Sequence, residues 1–503
     1  MKSRIYFYIT AFAIVTASMF HNSLQAQDAE YQLILRQYTV NSDNSVDIRY
    51  RKEIKLLRNR AITAYADKGE TFILYNPGTE RLTINDSYTV RKDGSRVQTP
   101  ENGFIDQLPS QCENCGRYNG LRERVVVHTA LEYDCLVVLD YTIHRSQALV
   151  DEKIQLNQDC PVKKYEIIVD AGQNKTPLKL SWLNDNLKAK SVNDGHSYHF
   201  EAKNLEQTYN ERYMPPSETL YPTLHIAIGD TTLTFNQNEK LAEAADLLTE
   251  LKDDNPLKYA TNIRDYVVDY VIHNNIPLPT LMNVVSPAEK TFSSNCGTTA
   301  DKSALLAAML RQAGYDAKAQ KDMVYVEIAD SGVTMTYAMS PISKNRILPY
   351  GLAIDEQRTI EANESMPWNG HHIGDWYCQM TLPKHRGTIN IDPAQLAPSR
   401  TAPLKVRNCS EKYHYSIILP RTPKYHLATN DVKIKYTKKG VGYINIEIKE
   451  STNNTIEVTR ELNIDVADEI VSTKQYKAFR QMISDWNEYQ TITVIAKPSS
   501  DKE

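Results

Sequence analysis

One stretch concentrates the chemistry of this chain: Ser293-Ser-Asn-Cys-Gly-Thr-Thr-Ala-Asp-Lys-Ser-Ala-Leu-Leu-Ala-Ala-Met-Leu-Arg-Gln-Ala-Gly314. It sets a thiol, Cys296, and two hydroxyls, Thr298 and Thr299, at the head of an apolar helix. Thr298 followed by Asp301 is a capping-box pattern, and Leu305, Leu306, Met309, Leu310 and Ala313 recur on one face at helical spacing. Gly314 stops the helix. Backbone N–H groups at a helix start have no acceptor within the helix, so a thiol seated there is pulled toward its nucleophilic thiolate. Whether a cysteine occupies the right position decides what the chain can do.

The elements around this stretch set its frame. From about Tyr31 to Asp230 short β-branched and aromatic runs, such as 46–51, 69–75, 124–128 and 135–143, alternate with turns at Asn76-Pro77-Gly78 and Lys92-Asp93-Gly94. An antiparallel β-sandwich is expected there. Residues 239–252 then read as an amphipathic helix. Pro256 opens a second helix, with Ile263, Val267, Val268, Val271 and Ile272 as its apolar stripe. The motif helix is the third, and strand-like segments at 323–328, 350–354 and 376–382 follow, which makes an α+β unit. From about Arg400 strands return, closed by one helix that Ser472 and Gln475 cap and that Tyr476, Phe479, Met482, Ile483 and Trp486 line.

Bulk properties exclude some functions. A chain of 503 residues needs several cores. The net charge of -4, with no basic block, argues against nucleic acid and anionic membrane surfaces as partners. Lys2 and Arg4, then an apolar run to Phe20 and the small-residue site Leu24-Gln25-Ala26, read as a secretion signal over 1–26. No later window is long and apolar enough to span a bilayer, so the processed chain is expected to be soluble, in the periplasm or at the cell surface. Seven cysteines, Cys112, Cys115, Cys135, Cys160, Cys296, Cys378 and Cys409, leave at least one unpaired within the chain. Cys112 and Cys115 form a single CxxC, read as a loop disulfide or two free thiols, since a zinc ribbon would need a second pair.

The order of segments, and the Gly297-Thr-Thr-Ala-Asp-Lys-Ser-Ala-Leu-Leu306 motif above all, resembles the bacterial transglutaminase-like superfamily. More narrowly, the chain resembles exported Bacteroidetes proteins in which a DUF3857 domain precedes a transglutaminase-like core and a small DUF3858-like β domain. Segments 131–142, 263–271 and 476–480 support this. The resemblance implies an α+β multidomain protein. A signal peptide (1–26) precedes an N-terminal antiparallel β-sandwich (27–232), a central papain-like α+β core (233–400) and a C-terminal β-sandwich with one helix (401–503).

The same resemblance tests the cysteine. The family core reads Gly-x-Cys-x-Asp-x-Ala. Aligned without gaps, Gly297 and Asp301 match, Ser303 replaces the Ala, and the nucleophile position falls on Thr299. Cys296 lies three residues early, a shift of roughly 4.5 Å along a helix, whereas nucleophile and base must approach to about 3 Å. The family His and Asp belong on a downstream hairpin. One register uses 350–363, which holds no His; the other runs from Trp376 into Asp392-Pro393, with His371 and His372 just upstream. His371, His372, Asp375 and His385 could also be read as a metal cluster. Adjacent strand residues point to opposite faces, however, so no metal or other cofactor is expected. Trp368, Trp376 and Tyr377 are core residues or a peptide or glycan platform.

Two functions remain. In the first, the core has lost its catalytic thiol and binds an extended peptide, a peptidoglycan stem or a surface protein. In the second, the chain is a cysteine-dependent amide-bond enzyme, a peptidase or acyl transferase, with Cys296 as nucleophile, His372 as base and Asp392 as orienting carboxylate.

Overall fold

The computed structural model describes residues 28–67, 72–172, 176–185, 190–193, 197–344, 347–349, 359–374, 376–383, 396–428, 432–451, 454–489 and 491–499. The expected signal segment, the 350–354 strand and Asp392 with its turn lie outside these residues. The chain is an α+β multidomain protein that divides into two compact units, Met1–Thr208 with Tyr221–Gly351, and Tyr209–Leu220 with Leu352–Glu503.

The first unit begins with a sandwich. Its large sheet has eight strands, in spatial order Lys190–Asn193, Ser197–Leu205, Val162–Asp170, Ala29–Val40, Val46–Leu56, Leu136–Arg145, Glu80–Val90 and Arg96–Gln98. Alternation places Ile34 and Tyr38 inward from one strand, with Tyr31 turned to the same face by a register shift before Leu33, and Ile54 and Leu56 inward from the next. These meet Val150, Ile154, Leu224 and Ile226 of a three-stranded sheet in one core. The sheet is not wholly antiparallel, because Ala29–Val40 runs parallel to Val162–Asp170.

The core that carries the motif packs onto this sandwich within the same unit. Asn255 caps Pro256–Tyr270 by accepting from the Lys258 N–H, as Pro at the first helical position favours. The segment expected as one helix over 239–252 is broken into a short turn and the helix Ala245–Glu250. Its start is held in another shape, since the Glu239 carbonyl accepts from Arg311 and its carboxylate from the Ala288 N–H. A four-stranded sheet, Asp316–Ala319, Val324–Asp330, Val333–Met339 and Ile347–Pro349, completes the core.

The motif helix, Thr299–Gln312, is central rather than amphipathic: every residue from Ala300 to Arg311 is buried. Its polar side chains are accommodated individually. Lys302 Nζ donates to the Val271 carbonyl at 2.6 Å, and Arg311 donates to the Glu239 and Ala317 carbonyls. Gly314, at φ +99°, ends the helix, and the Tyr315 N–H closes back on the Leu310 carbonyl.

In the second unit a five-stranded and a four-stranded sheet enclose one core with the helix Thr473–Glu488, capped by Ser472 and Gln475 as expected. The central domain was expected to reach residue 400. Instead, Thr359–Pro367 runs parallel to Cys409–Ile418 over nine residue pairs, and Tyr377–Thr381 pairs with Thr493–Pro498. Backbone pairing therefore commits 359–367, 371–373 and 377–381 to the C-terminal sheets.

Candidate functional site at the head of the motif helix

The capping residues define the geometry. Asp301 is 1% exposed, and its carboxylate accepts from the Thr298 N–H (3.0 Å), the Thr298 hydroxyl (2.9 Å), the Ser286 N–H (2.8 Å) and the Tyr118 hydroxyl (3.0 Å). A buried carboxylate at a helix N-terminus is favoured by the local dipole, and these four donors, with the Arg117 guanidinium at 3.5 Å, replace its lost hydration. Gly297 is required by closeness: a Cβ there would lie 2.8 Å from the Asp301 Cβ and 3.0 Å from the Thr291 Cγ2. The Gly and Asp of the motif are thus structural residues of the helix start.

Cys296 precedes this start on a two-residue strand, Cys296–Gly297, that runs parallel to Ile272–His273. Its sulfur is bonded to Cys115, 181 residues away, and both are buried. In this form Cys296 carries no thiolate to act as a nucleophile. The CxxC therefore contains no internal bridge: Cys115 turns to Cys296 and Cys112 stays a free, fully buried thiol. The same N-terminal-domain loop supplies Tyr118, and its Arg117 donates to the Thr291 hydroxyl (3.2 Å) and the Cys296 carbonyl (3.4 Å).

Thr299, the first residue of the helix, meets a histidine from the parallel strand: His273 Nε2 and the Thr299 hydroxyl oxygen are 2.9 Å apart. Partial burial, then the nearby Lys302 charge, lower the His273 imidazole below its ordinary pKa, which favours the neutral ring that a base requires. Burial pushes the Lys302 ammonium down to about 8. His273 is a residue of this site that the sequence does not single out. Nothing local to it announces that a two-residue strand will carry it to the motif helix.

Thr299 borders a cleft of about 300 Å³ formed by Asn274 to Pro279, Thr298 to Ala300, Lys321 and Asp322, with Asp151 from the N-terminal sandwich. Asp151 accepts from His225 at 2.7 Å and from Lys321 at 3.1 Å across the rim. The wall of the cleft includes Asn274, which is 2% exposed. Its Nδ2 donates to the Gln111 carbonyl at 2.5 Å, while its Oδ1 is buried without a hydrogen-bond partner. The cleft thus brings one buried acceptor without a partner and the start of a helix into the same lining.

Of the expected partners of Cys296, only His372 is among the described residues. His372 lies in the second unit on the edge strand His371–Ile373, with Nδ1 3.3 Å from the buried Cys378 sulfur directly across the strand pair. His371 faces the other way, toward Gln379 at 2.8 Å. Asp375, His385 and Asp392 lie outside the described residues. Trp368 packs on Tyr425, whereas Trp376 and Tyr377 are exposed. Among the described residues no three His, Cys, Asp or Glu side chains gather closely enough to hold a metal, and no helix is long and apolar enough to cross a membrane.

Comparison with known proteins fits this architecture. The crystal structure of a "putative protease" from Parabacteroides distasonis aligns with 93% of this chain and 99% of its own length, at a TM-score of 0.66 and 22% identity, which shows a shared fold. An M1 zinc metallopeptidase from Deinococcus radiodurans aligns with 49% of the chain and 55% of its own length at a TM-score of 0.19 and 9% identity, too low to carry an argument. No curated protein matches the chain. Residues 42–208 match the Domain of Unknown Function DUF3857, and residues 379–496 match the Domain of Unknown Function DUF3858. The chain is thus a DUF3857- and DUF3858-containing multidomain protein that shares its fold with the Parabacteroides protein.

Proposed function

We propose that the chain is exported to the periplasm or cell surface and that its central domain is a transglutaminase-like scaffold that binds an extended amide-bearing chain without cleaving it. A peptide or peptidoglycan stem would lie in the cleft beside Thr299. The observation that carries this reading is the exchange of roles at the helix head. The sulfur of Cys296 is consumed in a bridge to Cys115, and the helix begins with a hydroxyl, Thr299, where the transglutaminase-like resemblance would put a nucleophile. A threonine hydroxyl is a weak nucleophile unless a base and an orienting group activate it. His273 supplies a base at 2.9 Å, but among the described residues no carboxylate hydrogen-bonds His273. The N–H groups of the first helical turn would donate to a ligand carbonyl, and Asn274 Oδ1, enclosed in the cleft wall, would take the ligand N–H once that wall opens.

The test is calorimetric titration of the protein with peptides and peptidoglycan stem fragments, beside the Asn274→Leu variant. Saturable binding that weakens in the variant, with the ligand recovered intact, supports the reading. Ligand recovered cleaved would replace it with a second reading, favoured by the Thr299–His273 contact and by the name of the Parabacteroides protein. In that reading Thr299 is the nucleophile and His273 the base of an amide hydrolase.

A further inference from the structure

We propose that Cys112, Cys115 and Cys296 form an internal thiol–disulfide relay. In it the Cys112 thiolate displaces Cys296 from Cys115 and leaves a free Cys296 thiol ahead of the motif helix. This goes beyond the binding reading and does not depend on it. Three observations carry the relay. Cys112, Cys115 and Cys296 are packed in one buried cluster with Tyr118, Leu121 and Ile276, so the third sulfur is held among the residues that enclose the bridge. The Cys115 N–H donates to the Cys112 carbonyl at 3.0 Å. An i to i+3 turn of this kind keeps the two Cα atoms under about 7 Å, and a disulfide needs about 4.4–6.8 Å. The alternative bridge therefore requires little backbone movement, and the CxxC spacing acquires a use that the observed pairing leaves unexplained.

The step balances within the protein. The Cys112 sulfur attacks the Cys115 sulfur, a Cys112–Cys115 bond forms, the Cys115–Cys296 bond breaks, and its electron pair leaves on Cys296, which takes a proton from solvent. No external oxidant or reductant is consumed. The product differs functionally from the starting state. The covalent tie between the N-terminal domain and the helix head is gone, leaving Tyr118 and Arg117 as the polar contacts of that loop with Asp301, Thr291 and Cys296. A thiol then stands on the strand beside Ile272 and His273. Exchange is gated by access to thiolate, because Cys112 is fully buried.

The experiment incubates the native protein with iodoacetamide and no reductant at pH 7.5, 8.5 and 9.5, then maps disulfides and alkylated cysteines without reduction. Cys112→Ser and Cys112→Ala are run alongside. The relay predicts molecules carrying both a Cys112–Cys115 bridge and alkylated Cys296, accumulating about tenfold faster per pH unit below the thiol's pKa. Both variants should keep the Cys115–Cys296 bridge and lose that product by at least tenfold. Alkylation of Cys112 with the native bridge intact would overturn the relay. So would no alkylation at either site, or equal Cys296 labelling in the variants. If the variants fail to fold, the wild-type map alone still decides between these products. Ligand titration of the cleft is read separately, so either reading can fail without the other.

Discussion

Removing the bridge between Cys115 and Cys296 should unlock the first unit by an amount that can be worked from chain separation. The two cysteines are 181 residues apart. In the chain-entropy account, closing a loop of that length in the unfolded ensemble stabilises the folded state by about 5 kcal/mol, and strain or residual unfolded structure lowers this. The perturbation is a cycle of Cys115→Ala, Cys296→Ala and the double variant, all in a Cys112→Ala background so that no third thiol re-pairs. Guanidinium unfolding is followed by hydrogen-exchange pulses read on peptides of the 299–312 helix, which isolates the first unit from the second. If the bridge is the operative interaction, each single variant loses about 3–5 kcal/mol. The double variant then loses little more than either, because the second substitution removes only packing. Single losses below about 1 kcal/mol would mean that the bridge does not hold the unit together, as would a double loss equal to the sum of the singles.

Further outcomes follow from the helix head. Gly297→Ala, which forces a Cβ against Asp301 and Thr291, should destabilise the unit by about 1–3 kcal/mol, and an unchanged melting midpoint would contradict the packing described. Thr299→Cys should place a reactive thiol beside His273, alkylated at pH 7 at least tenfold faster than any native cysteine; slow labelling would mean the helix start does not favour the anion. Lys302 titrates near 8 in the fold against 10.5 ordinarily, so between those values the unfolded chain holds more protons. Stability should therefore rise from pH 8 to 10.5, by at most about 3 kcal/mol, with the full burial penalty present below pH 8. Lys302→Met should flatten that slope in hydrogen-exchange unfolding, and an unaltered slope would assign it to another group.

Local signals were legible in the sequence and distant ones were not. The pairs Thr298 with Asp301 and Ser472 with Gln475 set their helix starts within four residues, and both capping boxes form. The Gly and Asp of the motif found their places for the same reason. Burial of the motif helix on all sides was hidden, because Lys302 and Arg311 look like solvent-facing residues until their carbonyl partners are known. The 359–381 strands were assigned by chain order to the central domain, whereas their backbone partners lie in the C-terminal sheets. His273 escaped notice for a related reason: parallel pairing of Ile272–His273 with Cys296–Gly297 is a contact across 24 residues with no periodic signal. The CxxC favoured the nearest partner for Cys115, and only packing in three dimensions turns it toward Cys296.

The account stands on the state of one sulfur. Peptide mapping of the freshly purified protein, digested without reductant after rapid alkylation at neutral pH, reads that state directly. The prediction is a cross-linked pair of peptides, one containing Cys115 and the other Cys296, with Cys296 unmodified by the alkylating reagent. Recovery of Cys296 as a rapidly alkylated thiol, with an amide-cleaving activity lost in proportion, would contradict it.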